Sequence, residues 1–181
     1  MRRLWLLAAV LIAVAGCSTA RTPAASPGSS ASPKSSATAS PSAGPRVVLG
    51  DYDAGRNPAK DIKAALALAA RDHRNVLIDF GADWCLDCRV LTKLSRSGKV
   101  ATLLSDGYHV VSVDVGEFDR NLDVAATYHL NLQTSGIPAL VVLDPKGKVR
   151  VATNDGSFAN ARSMEAGEVA DFLSRWSPAA R

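Results

Sequence analysis

The sequence predicts an α/β domain in which a central mixed sheet is flanked by helices on both faces. Three observations carry this expectation. Short β-branched runs alternate with stretches of helical period from residue 57 to residue 128, the pattern of strands joined by crossover helices. Two apolar segments, Ile137–Leu143 and Lys148–Ala152, flank the turn Asp144-Pro-Lys-Gly147 and read as an antiparallel hairpin closing the sheet. Residues 47–181 suffice for one compact domain with a core and are too few for two.

The elements follow in order. A short opening strand is expected at Val47–Leu49. Asn57-Pro58 reads as a helix start, with Asn as N-cap and Pro at the first helical position, and the apolar spacing of AKDIKAALALAARDHR carries that helix to about Asp72. Asn75-Val-Leu-Ile-Asp-Phe80 is too brief and too β-branched for a helix and is followed by Gly81, so it reads as a strand. After the segment ADWCLDC, residues Arg89 to Leu104 read as a helix with an interruption at Ser97-Gly98. Tyr108–Val115 is the next strand, Asp119–Tyr128 is helix-compatible, and Met164–Trp176 is a final amphipathic helix.

The start of the chain has a different character. Residues 1–16 join Arg2 and Arg3 to an apolar run from Leu4 to Ala15, the layout of a bacterial export signal that is too short to span a bilayer comfortably. The end of that run, Val14-Ala15-Gly16-Cys17, resembles the lipobox of bacterial lipoproteins. The resemblance implies cleavage before Cys17, its lipidation, and anchoring of the chain to the outer face of the cell membrane. Residues 17–46 are made mostly of Ser, Ala, Pro, Thr and Gly, too poor in apolar surface to fold, and read as a disordered tether. The 29 residues from Ser18 to Arg46 span, as a flexible coil, roughly 30 Å.

Charge excludes one class of partner. Of 21 Lys and Arg, Arg2, Arg3, Arg21, Lys34 and Arg46 precede the domain, which leaves 16 basic residues against 17 acidic ones in residues 47–181. That balance gives no support to nucleic-acid binding.

The chemistry is expected in Trp84-Cys-Leu-Asp-Cys88. With Cys17 lipidated, Cys85 and Cys88 are the two remaining cysteines. At a helix N-terminus Cys85 would face unpaired N–H groups and the positive end of the helix dipole, which favour thiolate and make it the nucleophile. Cys88, three residues on, lies on the same helix face within disulfide reach and is the resolving thiol. Two other roles stay open on the residues alone. A structural disulfide would close a loop too small to stabilise much. A structural zinc site would need four ligands, and beyond the pair the domain offers His73, His109 and His129 without a second paired motif.

Three motifs in order narrow this. Ile78-Asp-Phe-Gly-Ala-Asp-Trp-Cys-Leu-Asp-Cys-Arg-Val-Leu91 resembles the active-site strand and helix of the thioredoxin superfamily. Gly136-Ile-Pro-Ala-Leu-Val-Val142, whose Pro138 stands 50 residues after Cys88, resembles the family's cis-proline loop. Asp144-Pro-Lys-Gly-Lys-Val149 resembles the hairpin that follows. ADWC also resembles the C-terminal thioredoxin-like domain of membrane thiol reductant transporters.

The resemblance implies a thioredoxin fold and thiol-disulfide exchange. It implies a cis Pro138 against Cys85, an Ile137 backbone free to pair with an extended substrate, and a Trp84 that packs beside the pair. It also implies an Asp79 that relays the proton of Cys88, with Ser112 where the family often places a lysine. No metal, nucleotide or flavin cofactor is implied. The expected partners are protein thiol and disulfide substrates, a separate membrane electron donor, and the lipid membrane through Cys17; the chain is expected to be a monomer. Asp87, a negative charge near both sulfurs, disfavours thiolate and favours the reductant direction. The rivals are a disulfide oxidase or isomerase, a thioredoxin-fold binding module without redox turnover, and a metal-binding lipoprotein.

Overall fold

The computed structural model describes residues 49–178. The expected signal (1–16), Cys17, the tether (17–46) and residues 47–48 of the expected opening strand lie outside the described residues. Leu49 lies within them and is a buried bend rather than part of a strand.

In chain order the elements are α1 (Pro58–Asp72), β1 (Asn75–Gly81), α2 (Leu86–Ser95), α3 (Gly98–Gly107), β2 (Tyr108–Asp114), α4 (Leu122–Thr127), α5 (Leu132–Ser135), β3 (Ala139–Leu143), β4 (Val149–Ala152), a 3-10 turn (Ala161–Ser163) and α6 (Ala166–Trp176). The start of α1 follows from its sequence. Asn57 is the N-cap, its side chain accepts the Lys60 N–H at 3.0 Å, and Pro58 occupies the first turn.

Among the described residues the sheet has four strands in the order β2-β1-β3-β4. β1 runs parallel to β2 and antiparallel to β3, which pairs antiparallel with β4. This is the expected mixed sheet, and the family's fold. β1 and β3 are buried along their whole length, because helices cover both faces and water reaches neither. Alternate residues feed two separate cores. Val76, Ile78, Phe80, Val141 and Leu143 pack on one face with Ile62 and Ala69 of α1. Leu77, Leu140 and Val142 pack on the other with Leu91 of α2, Leu104 of α3 and Leu173 of α6.

Several boundaries differ from expectation for local reasons. The helix after the cysteines begins at Leu86 and is two helices, because Ser97 takes an extended conformation (φ −71°, ψ 148°) at the N-cap position of α3, without a side-chain capping hydrogen bond. The stretch Asp119–Tyr128 shrinks to α4, since Phe118 and Asn121 adopt positive φ of 63° and 55°. β3 begins at Ala139, one residue after a proline that has no N–H to give a ladder. The final helix begins at Ala166, after the 3-10 turn.

One glycine positions the site. A Cβ at Gly81, the last residue of β1, would collide with the Tyr52 ring and hydroxyl, so glycine here admits Tyr52 to the end of the strand. Replacing it should destabilise by roughly 1–3 kcal/mol, the range for overpacking. At Gly98, the first residue of α3, a Cβ meets nothing within 4 Å, and Gly98→Ala should be neutral or stabilising by up to about 1 kcal/mol. Urea unfolding of the two variants checks the contrast.

Candidate active site

β1 delivers the chain to the site. After Gly81 the backbone turns tightly, the Cys85 N–H donating to the Ala82 carbonyl at 3.1 Å, and Cys85 becomes the N-cap of α2 (φ −71°, ψ 117°). Its Sγ accepts the Cys88 N–H at 3.1 Å, where a serine or aspartate oxygen would ordinarily cap. The same N–H and the positive helix end would stabilise a thiolate at that sulfur. Cys85 and Cys88 are joined in a disulfide, with Cα atoms 5.2 Å apart. Cys88 is fully enclosed, whereas Cys85 keeps a small exposure.

The expected proline loop closes over the pair. The Ile137–Pro138 peptide is cis, and the Ile137 carbonyl oxygen lies 3.7 Å from Cys85 Sγ. Trp84 immediately precedes Cys85 in the chain. It is 48% exposed, its Nε1–H donates to the Gly116 carbonyl at 2.9 Å, and its ring meets Phe118 edge to face at 6.3 Å. Leu86 is 55% exposed, so Trp84 and Leu86 together present apolar surface beside Cys85.

The loop beneath Trp84 is built from the end of β2. Val115 N–H donates to the Gly81 carbonyl at 2.9 Å, Arg120 pairs with Asp114 at 3.1 Å, and Asn121 Nδ2 donates to the Asp114 carbonyl at 2.7 Å. Phe118 was not visible in the sequence as a site residue.

Asp79 is completely buried. Its Oδ2 accepts the Tyr52 hydroxyl at 2.9 Å and the Gly50 N–H at 3.0 Å. Oδ1 is buried without a hydrogen-bond partner among the described residues. Burial pushes the carboxyl up to about 7, against the smaller opposing pull of the Tyr52 and Gly50 hydrogen bonds. Burial, with the Asp79 charge beside it, drives the Tyr52 phenol well above its ordinary value. The β1–β2 register sets Ser112 beside Asp79, and the Ser112 Oγ accepts the Gly50 N–H at 3.2 Å. The partner of Asp79 is therefore a phenol from the segment before α1, which the sequence did not reveal.

Asp87 differs from expectation in its surroundings. Its carboxylate is bound by Arg162, through the backbone N–H at 2.9 Å and the guanidinium at 3.3 Å, so it does not act as an isolated charge. The histidines are dispersed. His73 caps α1, His109 Nε2 pairs with Asp72 at 2.9 Å, and the His129 carbonyl accepts from Asn154. Among the described residues no three His, Cys, Asp or Glu side chains are grouped to hold a metal. A groove of about 350 Å³ lined by Leu122, Ala126, Leu130 and Leu132 beside α4 and α5 includes neither cysteine.

Comparison with known proteins agrees with this geometry. A family model described as thioredoxin-like matches residues 57–145. The chain is 30% identical over 94 residues to thiol:disulfide interchange protein DsbD 2 of Pseudomonas aeruginosa, a stretch covering 51% of this chain and 15% of that protein. This chain thus spans only a small part of that relative's length. The crystal structure of disulphide isomerase from Xylella fastidiosa Temecula1 is 42% identical with a TM-score of 0.66, covering 69% of this chain and 95% of that one.

The raised Asp79 carboxyl has a measurable sign. Its native value of about 7 exceeds the ordinary 3.8, so between these pH values the native state holds more protons than the unfolded state and stability falls as pH rises. The oxidised chain should lose a few kcal/mol from about pH 4 to about pH 7, because each tenfold difference in proton affinity between the two states is worth about 1.4 kcal/mol. Urea unfolding across this range should show that decline relative to Asp79→Asn, and Tyr52→Phe should extend it to higher pH. Parallel curves for wild type and Asp79→Asn would show that the carboxyl does not titrate there.

Proposed function

The chain belongs to the thioredoxin-like family of thiol-disulfide oxidoreductases, and from that premise we propose that it is anchored to the outer face of a bacterial membrane and reduces disulfides in protein substrates. The observation that carries the exchange chemistry is the Cys85 sulfur at the α2 N-cap, joined to the enclosed Cys88.

In the forward reaction the Cys85 thiolate attacks one sulfur of a substrate disulfide. A mixed disulfide forms and one substrate thiolate leaves. Cys88 then loses its proton to Asp79, whose raised carboxyl and unpartnered Oδ1 suit that task. The Cys88 thiolate attacks Cys85 Sγ, forms the Cys85–Cys88 disulfide and expels the second substrate thiolate. Two electrons have passed to the substrate, and a separate membrane donor returns them to the pair. Trp84 and Leu86 supply apolar contact for the substrate, and Ile137 and Pro138 hold its extended backbone. The chain works as a monomer.

The reductant direction rests on the acidic Asp87 between the two cysteines, whose charge the largely exposed Arg162 side chain offsets only in part. Isomerisation is the second reading, favoured by similarity to a protein described as a disulphide isomerase. It uses the same attack by Cys85 but lets another substrate cysteine resolve the mixed disulfide.

Anchoring rests on the lipobox-like Val14-Ala15-Gly16-Cys17 and the tether after it. Cys17→Ala should move the chain from the membrane fraction of its host to the soluble fraction; an unchanged distribution would count against lipid attachment.

Turnover is tested with insulin as substrate. Cys85→Ser should abolish reduction, and Cys88→Ala should hold a mixed disulfide on Cys85 while losing at least about tenfold in rate, since a second thiol must then resolve it. A Cys88→Ala variant that retains refolding of a scrambled disulfide protein would select isomerisation. A Cys85→Ser variant with full activity would remove the exchange reading.

A further inference from the structure

Asp87 lies between the two cysteines in the first turn of α2, yet it is only 7% exposed. A carboxylate so enclosed is costly unless it is hydrogen-bonded or paired. Both compensations come from one residue 75 positions later. Oδ1 accepts the Arg162 N–H at 2.9 Å, and Oδ2 lies 3.3 Å from the Arg162 guanidinium. Arg162 sits in the 3-10 turn Ala161–Ser163, whose Ala161 is buried in the same core cluster as Leu91 of α2. The turn thus brings a positive charge and an N–H to the one acidic residue that shares the dithiol loop.

We propose that Arg162 is a positioning residue for thiol-disulfide exchange, holding Asp87 against the 3-10 turn and offsetting its charge at the sulfurs, and so setting the reduction equilibrium of the Cys85–Cys88 pair. The inference rests on the exchange reading and goes beyond it by naming what sets its balance point.

The relevant equilibrium transfers one electron pair. The Cys85–Cys88 disulfide and two glutathione thiols give two cysteine thiols and one glutathione disulfide, with two protons moving from the glutathione thiols to the cysteines. At neutral pH part of the reduced form is Cys85 thiolate, so whatever favours that thiolate favours the reduced side. An uncompensated Asp87 charge disfavours it, and Arg162 opposes that effect. The Arg162 side chain is itself 62% exposed, so solvent and salt weaken its field and the effect is modest. Asp79, Tyr52 and Asp114, the other titratable groups buried beside this end of β1, are left unchanged by substitutions at 87 and 162.

The test equilibrates the full chain with glutathione, all proteins carrying Cys17→Ser so that only the pair exchanges, and reads the thiolate of Cys85 by its ultraviolet absorbance. Arg162→Ala should shift the equilibrium about three- to tenfold toward the disulfide, making the pair more reducing, a tenfold change being about 30 mV for this two-electron couple. The thiolate fraction should fall with it, and Arg162→Lys should restore part of both. Asp87→Asn should shift the equilibrium the opposite way, and adding Arg162→Ala to it should change the equilibrium less than about twofold, because the charge through which Arg162 acts is gone. Wild-type values in Arg162→Ala, or an equally large effect of Arg162→Ala in the Asp87→Asn background, would overturn the proposal. A wild type that never equilibrates with glutathione would overturn the exchange reading and this proposal together, whereas a wild type that equilibrates alongside indifferent variants overturns this proposal alone.

Discussion

The hydrogen bond from the Cys88 N–H to Cys85 Sγ makes a sulfur the N-cap of α2, and much of the domain serves to hold that helix start where it is. β1 occupies an interior position in the sheet, paired on both sides, and ends at Gly81. Val115 N–H fastens the end of β2 to that point, and Leu91 buries α2 in the core on one face of the sheet. A helix start fixed in this way keeps the Cys88 N–H directed at the Cys85 sulfur, and it does so before any substrate arrives. This is preorganised electrostatic stabilisation of a developing thiolate.

On β1, the strand that leads to Cys85, the fold buries an acid that it leaves only half satisfied. Tyr52 and Gly50 donate to one oxygen of Asp79, and the other oxygen has no partner among the described residues. Burial outweighs the two hydrogen bonds, which is why the carboxyl stays protonated far above its ordinary range. The cost in folding stability accompanies a group able to take or give a proton near neutral pH. A well-paired Asp79 would be a better structural residue and a poorer acid or base.

Much of the fold was legible because its signals are local. Asn57-Pro58 marks the start of α1, VLIDF marks a strand, and the resemblance of GIPALVV to the cis-proline loop of the thioredoxin superfamily marks a loop that returns to the cysteines. The resemblance carried the cis peptide at Pro138, which composition alone would have assigned as trans. Tyr52, Phe118 and Arg162 were not legible. Tyr52 reaches Asp79 across 27 residues, and Arg162 reaches Asp87 across 75. Such pairs leave no periodicity or spacing in a single chain, because they are made by the sheet and the 3-10 turn bringing distant segments together. The same gap explains why Asp87 read as an isolated charge, when the folded chain supplies it with a cation and an N–H. Residues 1–48 enter only as sequence, through an Arg-led apolar run, the lipobox-like Val14-Ala15-Gly16-Cys17 and a stretch rich in Ser, Ala and Pro.

The central claim is that the two cysteines are made unequal by their places on α2, with Cys85 activated and Cys88 withheld. The most direct measurement is the rate of alkylation of each cysteine in the reduced chain as a function of pH, resolved by mass spectrometry of the modified peptides. The account predicts that Cys85 is modified first at every pH, with a midpoint below that of an ordinary thiol near 8.5, while Cys88 remains protected until the domain unfolds. Equal rates for the two, or faster modification of Cys88, would contradict it.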